Sequence, residues 1–303
     1  MFLVITLQAL YGFSIPISKI LLNYASPFFT SSIRMLLAGI AMLGVEKLYN
    51  KKMLLPTVCN VQLQIYALTL YLKYMMRAHY VQHLSCVRMG FLFNLGPFIA
   101  AFLSFLFLSE RLSQRQWFGM SIGCAASMWP LLYKNNASIL QGVEISFADL
   151  ILILAMIINF YGLIIKRKLL TQQNMSIAAV NGAAAVSSAG LGLITSFHLE
   201  GMFPVNDMTH FAGWFAILFL LSNIVCRNLY ALLLRKYSVT FLSLTDFLMN
   251  ICTALYGRIL FNETITIGYL ISSVFVCIGL YIFYLDEIYS SCLYAKESSF
   301  IKS

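Results

Sequence analysis

Residues 148–165, ADLILILAMIINFYGLII, form a nearly uninterrupted apolar stretch that ends at the basic cluster Lys166, Arg167 and Lys168. A helix of about 20 apolar residues is long enough to cross the hydrocarbon core of a bilayer. Basic residues that follow such a helix are typical of its cytoplasmic end. The stretch therefore predicts a transmembrane helix.

Comparable apolar stretches follow one another along the chain. Of the 303 residues, 60% are hydrophobic and 10% are charged, whereas a soluble domain carries roughly a quarter charged residues. We predict an all-α integral membrane protein with ten transmembrane helices, near residues 2–22, 27–46, 57–76, 84–107, 115–133, 148–165, 176–197, 211–233, 239–261 and 266–285. No hydrophilic stretch is long enough for a separate soluble domain, so the function must lie within the helix bundle.

Basic residues gather in every second loop. The even-numbered loops and the tail hold Lys47, Lys51, Lys52, Arg111, Arg115, Lys166, Arg167, Lys168, Arg235, Lys236, Lys296 and Lys302. The odd-numbered loops hold only Lys73, Arg77 and Lys134. This asymmetry predicts that both termini are cytoplasmic, and we expect a multi-pass protein of a bacterial inner (plasma) membrane. The net charge of +9 then reflects topology and contact with the lipid bilayer, and no nucleic-acid partner is predicted.

An internal repeat is visible at a shift of about 150 residues. Tyr11-Gly12 and Ser109-Glu110-Arg111-Leu112 recur as Tyr161-Gly162 and Asn262-Glu263-Thr264-Ile265. We predict a first repeat over 1–133 (helices 1–5), a second over 148–285 (helices 6–10) and a cytoplasmic tail over 286–303. Because each half holds an odd number of helices, the second half is inverted. Inverted repeats are the usual construction of secondary transporters, while duplication for bundle stability alone is the alternative.

The order of several residues resembles a known family. Ala9-Leu10-Tyr11-Gly12, Lys19, Pro27, Arg34, Ala38, Pro97, Glu110-Arg111-Leu112 and Gly119 are similar to the first EamA repeat of the drug/metabolite transporter (DMT) superfamily. The second repeat departs from this pattern, with Asn250 in the place of a proline and Ser272 in the place of a glycine. The resemblance covers nearly the whole chain. It implies a ten-helix carrier, without a cofactor, for amino acids, nucleobases, vitamins or nucleoside-linked metabolites.

Charged residues inside predicted helices are candidates for function, because each is unfavourable in a bilayer without a partner or a water-filled cavity. Asp246 is the only acid well inside a predicted helix, and Arg227 lies at the same sequence distance from the turn at residues 236–237. We predict a buried Arg227–Asp246 ion pair, as a static link between helices or as a gate. Glu263 is the only acid near Arg258 and is assigned with it to the same gating group.

Lys19 and Arg34 flank Pro27 symmetrically, which predicts a similar depth in helices 1 and 2 with no acid in reach. With Arg88 they predict an electropositive outer cavity, suited to a carboxylate or a phosphate, whereas Asp246 would receive an ammonium group or a proton. A zwitterionic, amino-acid-like solute would use both. The alternative is that these long side chains extend to the membrane interface. The predicted substrate site is Lys19, Arg34, Arg88, Tyr11, Asn94 and Tyr161.

The sequence does not contain the motifs of several other classes of function. There is no HExxH and no GxxxxGK[ST] motif, so we predict no catalytic residues and no enzyme. His79 and His83 have the spacing of a metal pair but no third ligand, and no metal is predicted. Gly119 and Gly123 form a GxxxG typical of close helix packing. A non-catalytic subunit of a larger complex and a lipid-modifying membrane enzyme stay as alternatives, and a homodimer is an open option for assembly.

Overall fold

The computed structural model describes residues 2–50, 60–108, 113–132, 146–201, 204–236, 239–265, 270–279 and 281–283. The helices are α1 Phe2–Leu21, α2 Pro27–Asn50, α3 Val61–His83, α4 Cys86–Leu92, α5 Gly96–Leu108, α6 Gln114–Leu132, α7 Phe147–Thr171, α8 Ile177–Glu200, α9 Met208–Leu218, α10 Arg227–Lys236 and α11 Val239–Phe261. A further apolar helix, α12, covers Leu270–Phe283. The all-α prediction is confirmed. The predicted tail and the motif at 109–112 lie outside the described residues.

Several helices present lipid-compatible surfaces. Within the described residues, six stretches are long and apolar enough to cross a membrane: Leu3–Leu21, Pro27–Leu48, Cys86–Phe107, Phe147–Thr171, Ile177–Glu200 and Met208–Leu234. Large apolar side chains such as Leu48, Val61 and Ile259 point outward and are more than two thirds exposed. Many polar side chains, among them Gln8 and Asn181, are fully buried. Apolar groups outside and polar groups inside are what a bilayer requires, and the chain is a multi-pass integral membrane protein.

Helix starts follow from side chains that the sequence places just before each apolar stretch. The side chain of Asn60 accepts hydrogen bonds from the backbone N–H groups of Gln62 and Leu63 at the start of α3. Ser146 and Asp149 form a reciprocal capping box at the start of α7. Such caps satisfy N–H groups that have no partner inside the helix.

Two of the long apolar segments are not regular α-helices. Between α4 and α5 the chain forms a 3-10 turn over Phe93–Leu95, just before Pro97, whose ring cannot donate a backbone hydrogen bond. Between α9 and α10 it forms a π-helical segment over Phe219–Cys226. By contrast α11 runs unbroken through Asn250, the position where the repeat pattern would place a proline. The amide of Asn250 instead donates to Asn94 Oδ1 at 2.8 Å.

The described residues form two compact units, which cut across the predicted repeats. The larger unit comprises residues 1–100 and 146–264. Its helices pack closely at glycines: a Cβ added at Gly39 would lie 2.9 Å from the carbonyl oxygen of Gly182. The described part of the smaller unit lies within residues 101–132 and 265–283. In it a Cβ at Gly119 would lie 2.6 Å from the carbonyl oxygen of Gly279, which confirms the close packing predicted for the GxxxG.

Candidate functional site

A cavity of about 170 Å³ lies inside the larger unit, among α1, α3, α7, α10 and α11. Four cationic side chains line it: Lys73, Arg77, Lys166 and Arg227. Asp246 is the only carboxylate among its described lining residues. Seven aromatic side chains complete much of the wall, namely Tyr11, Tyr66, Tyr74, Tyr80, Phe93, Phe160 and Tyr230. The cavity thus combines opposite charges with large π surfaces.

One face of α3 supplies much of this wall. Tyr66, Lys73, Arg77 and Tyr80 recur at intervals of seven, four and three residues, which places them on the same side of the helix. The helix extends to His83, seven residues beyond its predicted end at 76. The prediction that Lys73 and Arg77 belong to a loop is therefore wrong. Their charges lower the local hydropathy, but inside the bundle they face the cavity and not the lipid.

The carboxylate of Asp246 is held by a neutral partner. Gln8 Nε2 donates to Asp246 Oδ1 and to Thr245 Oγ1, both at 2.8 Å. Gln8 is fully buried in α1. Because its amide carries no charge, it holds the carboxylate in place without neutralising it. The carboxylate of Asp246 can therefore still pair with a cationic group that enters the cavity.

The predicted Arg227–Asp246 ion pair is wrong, since the salt bridges of the described residues do not include it. Arg227 Nη1 instead lies 3.1 Å from Met35 Sδ. Equal distance from a turn fixes the depth of two residues in a hairpin, but not the directions in which they point. The π-helical segment immediately before Arg227 adds to that difference, because it changes the number of residues per turn.

The cations of the cavity are paired with rings more than with acids. Lys166 Nζ lies 6.0 Å from the centre of the Tyr66 ring, and Lys73 Nζ lies 5.5 Å from that of Tyr74. Arg227 Nη2 is buried without a hydrogen-bond partner among the described residues. A π face attracts a cation but leaves its N–H groups free to donate. These side chains can therefore bind an anionic group that enters the cavity.

Lys19 and Glu263 form an ion pair at the end of α1. Lys19 Nζ lies 3.1 Å from Glu263 Oε1 and also donates to the carbonyl oxygen of Leu84. The two carboxylate oxygens of Glu263 accept from the N–H groups of Cys86 and Val87, at 3.0 and 2.8 Å. The expectation that Lys19 has no acid in reach is wrong, as is the grouping of Glu263 with Arg258, because Glu263 caps α4.

Arg88 also has an acidic partner. Its Nε donates to Asp149 Oδ1 at 2.9 Å and its Nη2 contacts Oδ2, so the pair is bidentate and joins α4 to the start of α7. Asp149 is fully buried. Arg88 was predicted to bind substrate, but it is not among the lining residues of the cavity.

The other predicted site residues divide between the cavity and its surroundings. Tyr11 lines the cavity, where its ring centre lies 6.2 Å from that of Tyr230. Asn94 is buried against Asn250, and Tyr161 packs on the apolar cluster between α3 and α7. Arg34 is buried beside a second, smaller cavity, and Arg258 is exposed. Of the predicted site, Tyr11, Arg227 and Asp246 share one cavity.

Sequence reasoning missed Lys73, Arg77 and Lys166. Lys166 was predicted in a cytoplasmic loop, yet it lies inside α7 and is 2% exposed. The signal was present in the spacing of polar and aromatic residues along α3 and α7. A window of apolar residues ends wherever a charge appears, whichever way that charge points, so hydropathy alone does not reveal this spacing.

Comparison with known proteins shows what the chain is similar to. Residues 1–131 match the EamA-like transporter family. The first 131 of the 303 residues are thus similar to this family. A solved crystal structure that is 13% identical to this chain shares its fold, with a TM-score of 0.64 over 93% of both chains.

Curated relatives align with almost the whole chain. The S-adenosylmethionine/S-adenosylhomocysteine transporter of Chlamydia muridarum (strain MoPn / Nigg) is 29% identical over 301 residues, which is 98% of this chain and 95% of the relative. The protein of the same name from Chlamydia trachomatis serovar L2 is 28% identical over 94% of this chain and 89% of its own. Both relatives are named as transporters of small metabolites.

Proposed function

We propose that this protein carries S-adenosylmethionine and S-adenosylhomocysteine across the membrane. The observation that carries the proposal is the composition of the central cavity, whose described lining residues include one carboxylate, Asp246, together with four cations and seven aromatic rings. The names of the chlamydial relatives, which align over nearly the whole chain, point to the same solutes.

Each part of these solutes has a counterpart in the cavity. The amino-acid part is a zwitterion, whose carboxylate suits Lys73, Arg77, Lys166 or Arg227 and whose ammonium group suits Asp246. The adenine ring can stack on tyrosine side chains, and the sulfonium of S-adenosylmethionine is attracted by their π faces. A zwitterionic, amino-acid-like solute that also carries a large flat ring fits this wall better than a simple cation does.

Alternating access is the mechanism that we propose, with residues 1–133 and 148–285 as inverted repeats that rock about the solute. Broken helices at the midplane are a recurrent feature of such carriers. The 3-10 turn and the π-helical segment supply the two breaks, and Phe93 and Ser222 from these segments line the cavity. These irregular segments near the solute can change conformation while the regular helices on either side of them stay intact.

The proposed orientation has both termini in the cytoplasm of a bacterial cell, with the protein in the inner membrane. It rests on loop charge. After removal of the native cysteines, a cysteine placed at Lys168 should resist an impermeant thiol reagent in intact cells, and one placed at Val205 should react. The reverse pattern would overturn the orientation.

Counterflow in liposomes tests transport by the purified chain alone, without other subunits. We expect labelled S-adenosylmethionine to accumulate when the vesicles are loaded with S-adenosylhomocysteine, and not when they are loaded with methionine and adenosine. Absence of counterflow from a folded, correctly inserted protein would contradict the proposal and favour a subunit role.

Asp246→Asn should abolish counterflow, because it removes the carboxylate that would receive the ammonium group. Asp207→Asn is the matched control. Asp207 lies outside the cavity as the cap of α9, and asparagine caps helices equally well. Equal activity of the two variants would exclude Asp246 from the solute site.

A further inference from the structure

A second, smaller cavity lies next to the central one and has a distinct chemistry. It has a volume of about 20 Å³, and Arg34, Arg77, Ser18, Thr30 and Ser31 line it with apolar neighbours. Arg77 lines both cavities. No carboxylate is present among the described residues around the smaller cavity.

Arg34 is a buried cation without a counter-charge in the described part of the chain. The residue is 2% exposed, and its Nε has no hydrogen-bond partner there. Its guanidinium lies 5.7 Å from the centre of the Tyr74 ring, a contact that leaves the N–H groups in the guanidinium plane free. The salt bridges of the described residues do not include Arg34. An unpaired charge that is buried in this way is strongly unfavourable.

Glu200, at the end of α8, does not supply the missing counter-charge. Glu200 contacts α2, but its carboxylate oxygens accept from the backbone N–H groups of Phe28 and Phe29, at 2.9 and 2.7 Å. Arg77 adds a second positive charge at the smaller cavity, where its Nη2 donates to Ser18 Oγ at 3.0 Å. A water molecule there would satisfy N–H groups but would leave both charges uncompensated.

We propose that the smaller cavity is a binding site for a monatomic anion, chloride under physiological conditions, held by Arg34 and Arg77 with the Ser31 hydroxyl as an additional donor. The volume admits a particle little larger than one water molecule, which excludes sulfate and phosphate. The site lies in the smaller cavity, beside the one that we propose for the solute, and Arg77 lines both. The anion is bound without being the transported substrate.

Anion binding can be measured without any transported solute, so its outcome is independent of the proposed transport function. The purified protein in lipid nanodiscs is titrated with chloride or bromide against gluconate at constant ionic strength. We expect a saturable rise in melting temperature with a half-effect on the order of 1 to 10 mM. A rise that does not saturate, or one that gluconate matches, would overturn the proposal.

Substitutions assign the effect to the site. Arg34→Gln should weaken halide binding roughly tenfold or more, because a charge-assisted donor is lost, while Arg258→Gln should leave it unchanged. Arg258 lies exposed on α11 and gives the same change in net charge. If Arg34→Gln does not fold, anomalous scattering from bromide in crystals of the unaltered protein shows whether the anion binds beside Arg34. A bromide peak beside Arg34 supports the site, and no peak there overturns it.

The carboxylate of the solute is the other anionic group that could bind Arg34 and Arg77. Bromide binding is therefore repeated with saturating S-adenosylhomocysteine. Retention of the bound bromide supports a separate anion site. Displacement would overturn it and would assign Arg34 and Arg77 to the carboxylate of the solute.

Discussion

Glu263 caps the first turn of α4 and is held in that position by Lys19, whose Nζ lies 3.1 Å from Glu263 Oε1. The side chains are 25% and 13% exposed, so the pair is shielded from solvent but not sealed. Three helices meet at this carboxylate: α1 through Lys19, α4 through its N–H groups, and α11 through the chain that leads from Phe261 to Glu263. The interaction therefore holds one end of the larger unit together.

Loss of this interaction should lower stability and not solute binding. We expect Glu263→Gln to reduce the free energy of unfolding by about 1 to 3 kcal/mol, because a charged cap and an ion pair are both weakened. Lys19→Gln should reduce it by about 1 kcal/mol, and the double variant by less than the sum. Thermal melts in nanodiscs measure these values. A strong rise in the half-saturating solute concentration of Lys19→Gln, with normal stability, would return Lys19 to the solute site.

Much of the fold could be predicted from the sequence, since the described parts of the apolar windows are helical, two of them with a 3-10 or π-helical interruption. The ends failed where charged side chains face inward, as at Lys73 and Lys166, because hydropathy counts a charge without its direction. The partners of charged residues could not be predicted for a similar reason. Glu263 meets Lys19 across 244 positions, and the rotation of each helix about its own axis decides such a contact.

Arg227 and Asp246 line the same cavity without forming a salt bridge, so their effects on stability should be independent. We expect the losses from Arg227→Ala and Asp246→Ala to add within about 0.5 kcal/mol in the double variant. The yield of folded monomer and the melting temperature of the four proteins give the comparison. A coupling of more than about 1 kcal/mol would mean that the two side chains do pair.

Gly162 allows α7 to approach α3 at the wall of the cavity. A Cβ at this position would collide with Thr69 Oγ1. We expect Gly162→Ala to reduce stability by about 1 to 3 kcal/mol, and Thr69→Ala in the same protein to restore part of it by making room. Gly190→Ala is the matched control, since nothing lies within 4 Å of a Cβ there.

The two glycines separate packing from backbone effects. Alanine is a better helix former than glycine, so Gly190→Ala should be neutral or stabilise the protein by up to about 1 kcal/mol. Equal stabilisation at both positions would show that α3 and α7 have room to spare. Equal destabilisation would indicate a general intolerance of the fold to alanine and not a local collision.

Lys166 and Arg167 are adjacent basic residues, but only Lys166 is among the described lining residues of the cavity. If the carboxylate of the solute lies near Lys166, Lys166→Gln should weaken binding of S-adenosylhomocysteine by about five- to a hundredfold, while Arg167→Gln should not change it. Both variants remove one charge. Isothermal titration calorimetry on the purified proteins compares them.

A solute without the amino-acid part makes the comparison specific to the carboxylate. 5′-Methylthioadenosine keeps the adenine ring, the ribose and the thioether of S-adenosylhomocysteine but has no carboxylate. Its binding should therefore respond equally little to Lys166→Gln and to Arg167→Gln. If Lys166→Gln weakened both ligands to the same extent, Lys166 would act by shaping the cavity, because only a direct interaction with the carboxylate distinguishes the two ligands.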